Sequence, residues 1–201
     1  MNGNRIDVTM SATGLLADSP HAAHIHFGAD RRNECPIASD DAEGDGTINT
    51  TDGDPAYGPI VVSLTKTGDT SPTKSALAVK RFDTAPGGEL SYQRGSIKVS
   101  SKVAKAISDG LSVVVIHGVD HNDNGKYDGD TKSDLDPSLP TEATDPALCG
   151  VLSAAPVGGA ATGNGGSAPE QTTGLIALGG GLLLVAAGTG AVAARRNRAH
   201  I

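Results

Sequence analysis

The sequence predicts an all-β domain, a sandwich or barrel of short strands, followed by a flexible linker and one C-terminal transmembrane helix. Three observations carry this prediction. Gly, Ser, Thr, Asp and Pro interrupt almost every window (27 Gly and 11 Pro in 201 residues), which disfavours long amphipathic helices. Short apolar or alternating segments recur between turn-rich connections, a spacing typical of antiparallel sheet domains. An uncharged stretch near the C-terminus is followed at once by arginines.

Seven segments have the composition of strands, and one has that of a short helix. Residues 5–13 alternate apolar Ile6, Val8 and Met10 with polar neighbours, as a strand with one buried face does. Residues 101–109 contain the stretch VAKAI, which predicts a short helix. The other strand candidates are residues 22–26, 60–65, 76–82, 89–99, 112–117 and 149–153. Together these elements predict a β-domain over residues 1–153.

Two C-terminal segments differ in composition from the β-domain. Residues 154–173 are small, polar and rich in Gly, which is typical of a flexible linker. Residues 174–194 carry no charge, and at about 1.5 Å per residue a helix of this length covers a hydrocarbon core of about 30 Å. A buried core helix is the alternative, but it leaves the arginines that follow without a role. The composition therefore predicts a single transmembrane helix.

Charge predicts the orientation of this helix and excludes one class of partner. Three arginines lie in the tail 195–201, so the positive-inside rule places the tail in the cytoplasm and the β-domain outside the cell membrane. The net charge is −7, and all 23 acidic side chains lie within residues 1–170 with all but three of the 16 basic ones. Such an acidic surface repels phosphate backbones, so we expect no nucleic-acid partner.

The amino terminus does not carry the signal that export requires. MNGNRIDVTM has no basic region followed by an apolar run, which is the pattern of a signal peptide. The chain also begins directly in a strand-like stretch. We therefore expect an upstream piece that precedes this sequence.

The two cysteines, Cys35 and Cys149, do not have the spacing of a zinc or redox motif. In an exported protein a single pair most simply forms a disulfide. Such a bond closes a loop of about 115 residues, which the chain-entropy model values at roughly 4–5 kcal/mol. Two unrelated buried thiols are the alternative.

Three histidines have the pattern of a metal site. His24 and His26 are two residues apart in a strand candidate, so their rings share one face while Ile25 lies on the other. His117 ends the apolar run 111–116. If this strand lies near the first, three imidazoles converge, and such a set suits copper, zinc or nickel. Surface or hydrogen-bonded histidines are the alternative, because an HxH pattern alone is weakly specific.

These motifs resemble those of the Cu/Zn superoxide dismutases. HAAHIHFG at residues 21–28, with a cysteine shortly after it, resembles that family's copper strand and disulfide loop. VVVIH at 113–117 resembles the strand of its last copper histidine, and ALCGVL at 147–152 resembles its terminal cysteine strand. The resemblance covers about 130 residues and implies a Greek-key β-sandwich. The residues it implies are His24, His26 and His117 as copper ligands, Cys35 and Cys149 as the disulfide, and His21 as a structural histidine.

The chordin-like (CHRD) domain is an equally good resemblance. HAAHIHFG, then YGPIVVSL at residues 57–64, then VVVIHG are similar to the motifs of that domain. It implies the same kind of sandwich in an extracellular module. The whole chain resembles actinobacterial-type surface proteins that combine chordin-like and dismutase features.

The sequence departs from the dismutase pattern at several functional positions. No histidine occurs between His26 and His117, so the metal-bridging and zinc-site histidines have no counterpart. Pro146 stands where that family has the arginine that guides superoxide. Arg31 and Arg32, close to the copper strand in sequence, are the candidates to supply positive potential instead.

A separate signal predicts calcium. The segment DHNDNGKYD at residues 120–128 matches the first nine positions of a calcium loop, with Gly125 at the sharp turn, although the last ligand is missing. A looser version runs over residues 41–52. Ordinary Asx-rich turns are the alternative for both. The candidate calcium ligands are Asp120, Asn122, Asn124 and Asp128.

The sequence thus predicts a cell-surface, membrane-anchored module of chordin-like type that binds copper, or a partner in the envelope, without efficient turnover. The alternative is a copper-only, superoxide dismutase-like enzyme displayed at the surface. The absent bridging histidine and guiding arginine favour the first. Neither a G-x-S-x-G elbow nor a phosphate-binding glycine loop follows any strand candidate, so these kinds of catalysis are not predicted.

Overall fold

Strands dominate the computed structural model, which describes residues 4–154 and 182–185. The strands are β1 (Arg5–Thr13), β2 (Pro20–His21), β3 (Ala23–His26), β4 (Ile60–Ser63), β5 (Asp83–Thr84), β6 (Glu89–Lys98), β7 (Val113–His117), β8 (Pro146–Val151) and β9 (Leu182–Val185). The helices are α1 (Thr50–Tyr57), α2 (Pro72–Ser75) and α3 (Ser101–Ser108). The predicted all-β class is confirmed.

One sheet has the order β6-β1-β9, and all its neighbours are antiparallel. β1 alternates strictly between exposed and buried residues, as its sequence predicts, so one face meets the core. A four-stranded antiparallel sheet has the order β4-β3-β7-β8, and β2 and β5 form a separate short pair.

The main apolar core lies between the two larger sheets. It contains the inward residues of β1 and β6 together with Ile25 of β3, Val114 and Ile116 of β7 and Leu148 of β8. The two sheets therefore pack face to face and form a sandwich. β7 is buried along its whole length, which accounts for its unbroken apolar sequence.

The strand predicted at residues 76–82 is wrong. This segment follows helix α2 and contains a 3-10 turn at Val79–Arg81. Pro72 starts α2 with a fixed φ, and the apolar residues Leu77 and Val79 are about half exposed instead of facing the core. An alternating apolar pattern needs a sheet neighbour on its buried side, and here none of the described strands supplies one.

Helix α1 was not expected, because Gly53 and Pro55 are poor helix formers. Its start is fixed by a capping box: the Asn49 side chain accepts a hydrogen bond from the Asp52 amide, and the Asp52 side chain accepts one from the Asn49 amide. Its last residue, Tyr57, is buried. The helix at 101–109 is confirmed as α3, capped by Ser100.

The C-terminal segments lie mostly outside the described residues. Of the predicted span 174–194, only residues 182–185 are described; their backbone forms strand β9, paired with β1 from Thr9 to Ala12, where the sequence predicts a helix. Among residues 4–154 and 182–185, no helix is long and apolar enough to cross a membrane. The tail 195–201 and residues 155–173 are not described.

Candidate metal centre

The four-stranded sheet brings His24, His26 and His117 together. β3 and β7 are antiparallel, with His24 opposite Val115 and His26 opposite Val113. The ring centroid of His24 lies 6.0 Å from that of His26 and 5.3 Å from that of His117. The centroids of His26 and His117 are 6.1 Å apart. The predicted convergence of three imidazoles is therefore what the fold produces.

Strand alternation explains why all three rings share one face. Ile25 lies on the opposite side in the main core, so its neighbours in β3 must face away from it. On the histidine side, the Tyr57 ring lies 4.5 Å from the ring of His26, and Phe82 lies 5.2 Å from that of His24. These rings and the surrounding loops leave the three histidines only 3–4% exposed.

Backbone carbonyls select the tautomer of two rings. The Nδ1 atom of His26 lies 2.7 Å from the Gly58 oxygen, and that of His117 lies 2.6 Å from the Thr144 oxygen. Since a carbonyl only accepts, each Nδ1 donates its proton and each Nε2 keeps a free lone pair. Sequence reasoning could not find these contacts, because the partners are backbone atoms.

Each of the three rings has a buried nitrogen without a hydrogen-bond partner. These atoms are Nδ1 of His24, Nε2 of His26 and Nε2 of His117. A buried polar atom without a partner costs free energy, and three in one cluster need a common explanation. A bound cation that accepts three nitrogen lone pairs supplies it.

The environment keeps these rings neutral. Burial lowers the pKa of His24 well below its usual range, and the neighbouring His117 and His26 lower it further. Burial also lowers the pKa of His26 to about 3 and that of His117 to about 4, against the opposing effect of their carbonyl contacts. Neutral imidazoles are the form that binds metals.

The three rings lie in one cluster, but their nitrogens are farther apart than the ligands of a bound ion. Nitrogen ligands lie about 2 Å from a bound zinc or similar ion. Within the described residues, the trio of ligand atoms that lies within 4.8 Å of one another is carboxylate, at Asp41, Glu43 and Asp52. To hold one ion, the three histidine rings would have to bring their nitrogens closer together.

His21 is a buried histidine that lies beside the backbone of His117. It is fully buried, with Nδ1 2.9 Å from the His117 oxygen and Nε2 3.1 Å from the Leu16 oxygen. A neutral ring has one N–H, so one nitrogen donates to a carbonyl and the other can accept a hydrogen bond from the Tyr127 hydroxyl, which lies 3.2 Å from it. The contact with the His117 oxygen fixes the backbone at His117 and so helps to place its ring.

The disulfide between Cys35 and Cys149 is confirmed, with the two Cα atoms 5.6 Å apart. It joins the loop after β3 to β8. Cys149 lies opposite Val115 and packs beside Val113 and Tyr57. The bond therefore supports the same face of the sheet that carries the histidines.

Both predicted calcium loops form turns. The Asp120 carboxylate accepts hydrogen bonds from the backbone amides of Asn124 and Gly125. The side-chain amides of Asn122 and Asn124 donate to the Asp128 carboxylate. In the looser loop, the carboxylates of Asp41, Glu43 and Asp52 form an acidic cluster that could hold a metal ion. The acidic cluster is the closer grouping, although its sequence match is weaker.

The arginines near the site are already paired. Arg31 contacts Asp30 and Asp54, and Arg32 contacts Glu34 and Asp40. Each guanidinium thus has two carboxylate partners. The positive potential that the sequence assigned to these two residues is largely neutralised.

Comparison with protein-family models, with curated proteins and with solved structures found no match. We therefore describe the class of this protein from its fold and its candidate site alone. It is a disulfide-linked β-sandwich with a buried face of three neutral histidines.

Proposed function

We propose that this protein is a copper-binding module of chordin-like, superoxide dismutase-like type, displayed outside the cell membrane and without efficient turnover. One observation carries the proposal: three buried imidazoles each have a nitrogen without a hydrogen-bond partner, on one face of one sheet. His24, His26 and His117 would hold the ion. A Greek-key connection of the strands is part of this proposal.

Copper is favoured over other ions by the chemistry of the donors. Three neutral nitrogens suit copper, zinc or nickel and are poor ligands for calcium or magnesium, which prefer oxygen. Among divalent first-row metals, a given site of this kind binds Cu²⁺ most tightly. Copper bound there would supply one-electron redox chemistry or Lewis acidity.

The charges around the site argue against fast superoxide turnover. A cavity in front of the histidines has Asp54 as the one formally charged residue among its described lining residues. Drawing in a small anion requires positive potential, and here the nearby guanidinium of Arg31 is bound to Asp54 and Asp30. We therefore expect metal binding with weak dismutase activity or none.

Metal analysis of the purified full chain tests the proposal. The wild type, stripped with chelator and reloaded, should bind one copper ion through these histidines, and a His24→Ala, His26→Ala double variant should bind none at this site. His121→Ala is the matched control, because His121 is bonded to Asp145 and lies outside the trio. Equal copper content in wild type and double variant would overturn the assignment.

A superoxide assay of the same samples tests the absence of turnover. Rapid turnover that depends on copper and is lost in the double variant would replace the proposed function with the dismutase alternative. Copper retention without turnover supports the binding module.

The membrane anchor is a second part of the proposal. We propose that residues 174–194 cross the membrane, that residues 1–153 lie outside and that residues 195–201 lie in the cytoplasm. The uncharged span and the arginines after it support this arrangement.

A further inference from the structure

We propose that the cavity in front of the three histidines binds a neutral organic molecule that has an apolar body and a single hydroxyl group, of which a phenol is the simplest type. The inference deepens the proposed function, because it rests on the three-histidine centre as the place of the hydroxyl end. The apolar walls are an independent observation.

The cavity has the size and lining of a small-molecule site. Its volume is about 960 Å³, at the upper end of the usual range for ligand pockets of about 300–1,000 Å³. Most of its lining side chains are aliphatic, aromatic or proline. The apolar lining residues that the argument uses are Pro20, Ala22, Leu77, Val79, Leu135 and Leu139.

Exposed apolar side chains concentrate at this cavity. In the described part of the chain, five large hydrophobic residues are substantially exposed, and three of them line the cavity: Leu77 (48%), Val79 (44%) and Leu135 (53%). Clustered exposed apolar surface in a soluble domain marks a binding surface. The segment at residues 76–82 is not a strand, and it places Leu77 and Val79 at the cavity.

The inner part of the cavity is polar. The histidines line it but are only 3–4% exposed, whereas Leu77 and Leu135 are about half exposed, so the lining runs from an open apolar rim to a deep floor of imidazole rings. These imidazoles, or the ion that they would hold, form the polar end of the lining. One hydroxyl on an otherwise apolar molecule meets both parts of the lining.

Charge selects a neutral ligand. Asp54 is the charged residue among the described lining residues, and the Arg31 guanidinium binds its carboxylate at 2.7 Å. The pair leaves neither a free cation to hold an anionic ligand nor a free carboxylate to hold a cationic one. Burial of an uncompensated ligand charge beside apolar walls is unfavourable.

Equilibrium dialysis of 2-naphthol against the full chain tests the inference, with chelator-treated and copper-loaded protein measured separately. The wild type should bind one molecule saturably, and Leu77→Asp should weaken binding at least tenfold. Leu111→Asp is the matched control: Leu111 is also 48% exposed and the charge change is the same, but it does not line this cavity. The control should bind as the wild type does.

Two related probes test the polar end and the charge. Naphthalene, which has no hydroxyl, should bind several-fold more weakly than 2-naphthol, and naphthalene-2-sulfonate should show no saturable binding. Naphthalene bound as tightly as 2-naphthol would overturn the hydroxyl assignment. No saturable binding of 2-naphthol, or equal binding to the Leu77→Asp and Leu111→Asp variants, would overturn the site itself.

Copper content separates this inference from the proposed function. Leu77→Asp should keep its copper while losing 2-naphthol. If the wild type binds 2-naphthol at this cavity but no copper, the proposed function fails alone. If it binds copper but no 2-naphthol, the ligand site fails alone.

Discussion

At His26 and His117, one backbone carbonyl each decides which nitrogen faces the neighbouring rings. The contacts to the Gly58 and Thr144 oxygens place the protons on Nδ1, so both Nε2 lone pairs are directed away from these carbonyls. His21 shows the contrast, because both its nitrogens contact carbonyl oxygens. The same residue type thus serves as a ligand candidate or as a structural link, according to what surrounds it.

Because His26 and His117 are buried as neutral rings, we expect the metal-free protein to lose stability in mild acid. His26 and His117 have folded pKa values of about 3 and about 4, below the value of about 6.5 in an unfolded chain. Between pH 6.5 and pH 4 the unfolded state therefore binds more protons, and the free energy of unfolding falls as the pH falls. Urea titrations of chelator-treated protein should show a loss of roughly 5 kcal/mol over this window, because two groups each differ by nearly one proton over about two pH units at about 1.4 kcal/mol per unit.

A His26→Gln variant provides the control for this pH dependence. Its free energy of unfolding should depend less steeply on pH between pH 6.5 and pH 4, by the contribution of about one proton. His121 contributes the opposite sign, because its hydrogen bond to Asp145 raises its pKa. A flat profile for the wild type over this window would mean that the three rings are not buried as neutral groups.

At the scale of elements, the disulfide links the loop after β3 to β8, which lies next to β7 and two strands from β3 in the sheet. A Cys35→Ser, Cys149→Ser double variant should lose about 2–5 kcal/mol of unfolding free energy, because the long loop between the cysteines is no longer closed. Chemical denaturation measures the loss. Mass mapping without reductant should find the two cysteine peptides joined in exported wild-type protein, and unchanged stability of the variant would contradict the prediction.

The calcium loops are a second prediction at this scale. Carboxylates at Asp120 and Asp128 supply the charge that calcium requires, so millimolar calcium should raise the melting temperature of the wild type. Asp120→Asn with Asp128→Asn removes both charges at nearly constant side-chain size, and it should abolish the rise. Glu43→Gln tests the acidic cluster separately.

The result of the calcium experiment assigns the site. If Glu43→Gln removes the rise and the loop variant does not, the acidic cluster is the calcium site instead of the predicted loop. If the wild type shows no rise at millimolar calcium, both segments are ordinary turns.

At the scale of the whole molecule, the orientation of the chain in the membrane can be tested directly. Protease added to intact cells should remove the β-domain and leave a small membrane-bound fragment that contains residues 174–194. Complete protection of the β-domain in intact cells, with cleavage after lysis, would contradict the external location. Release of the whole chain by carbonate washing would contradict the anchor. It would agree instead with the pairing of residues 182–185 with β1.

Patterns along the chain were enough to predict the strands with a clear period and the histidines that the fold brings together. The alternation in residues 5–13 gave β1 and its buried face, and the HxH pattern placed two rings on one side of β3. The pairing of Cys35 with Cys149 also followed from their number and the expected compartment. Strand alternation is a local property, and two cysteines allow one pairing. Patterns along the chain are therefore sufficient to predict these features.

The surroundings of the site depend on contacts between segments that are far apart in the chain. The helix α1 forms against the propensities of Gly53 and Pro55, because its cap and the burial of Tyr57 outweigh them. The segment 76–82 is apolar yet is not a strand, and its exposed residues line the cavity instead. The carbonyl contacts that orient His26 and His117 come from residues 32 and 27 positions away. Contacts of this kind are set by the packing of distant segments, and no local pattern in the sequence records them.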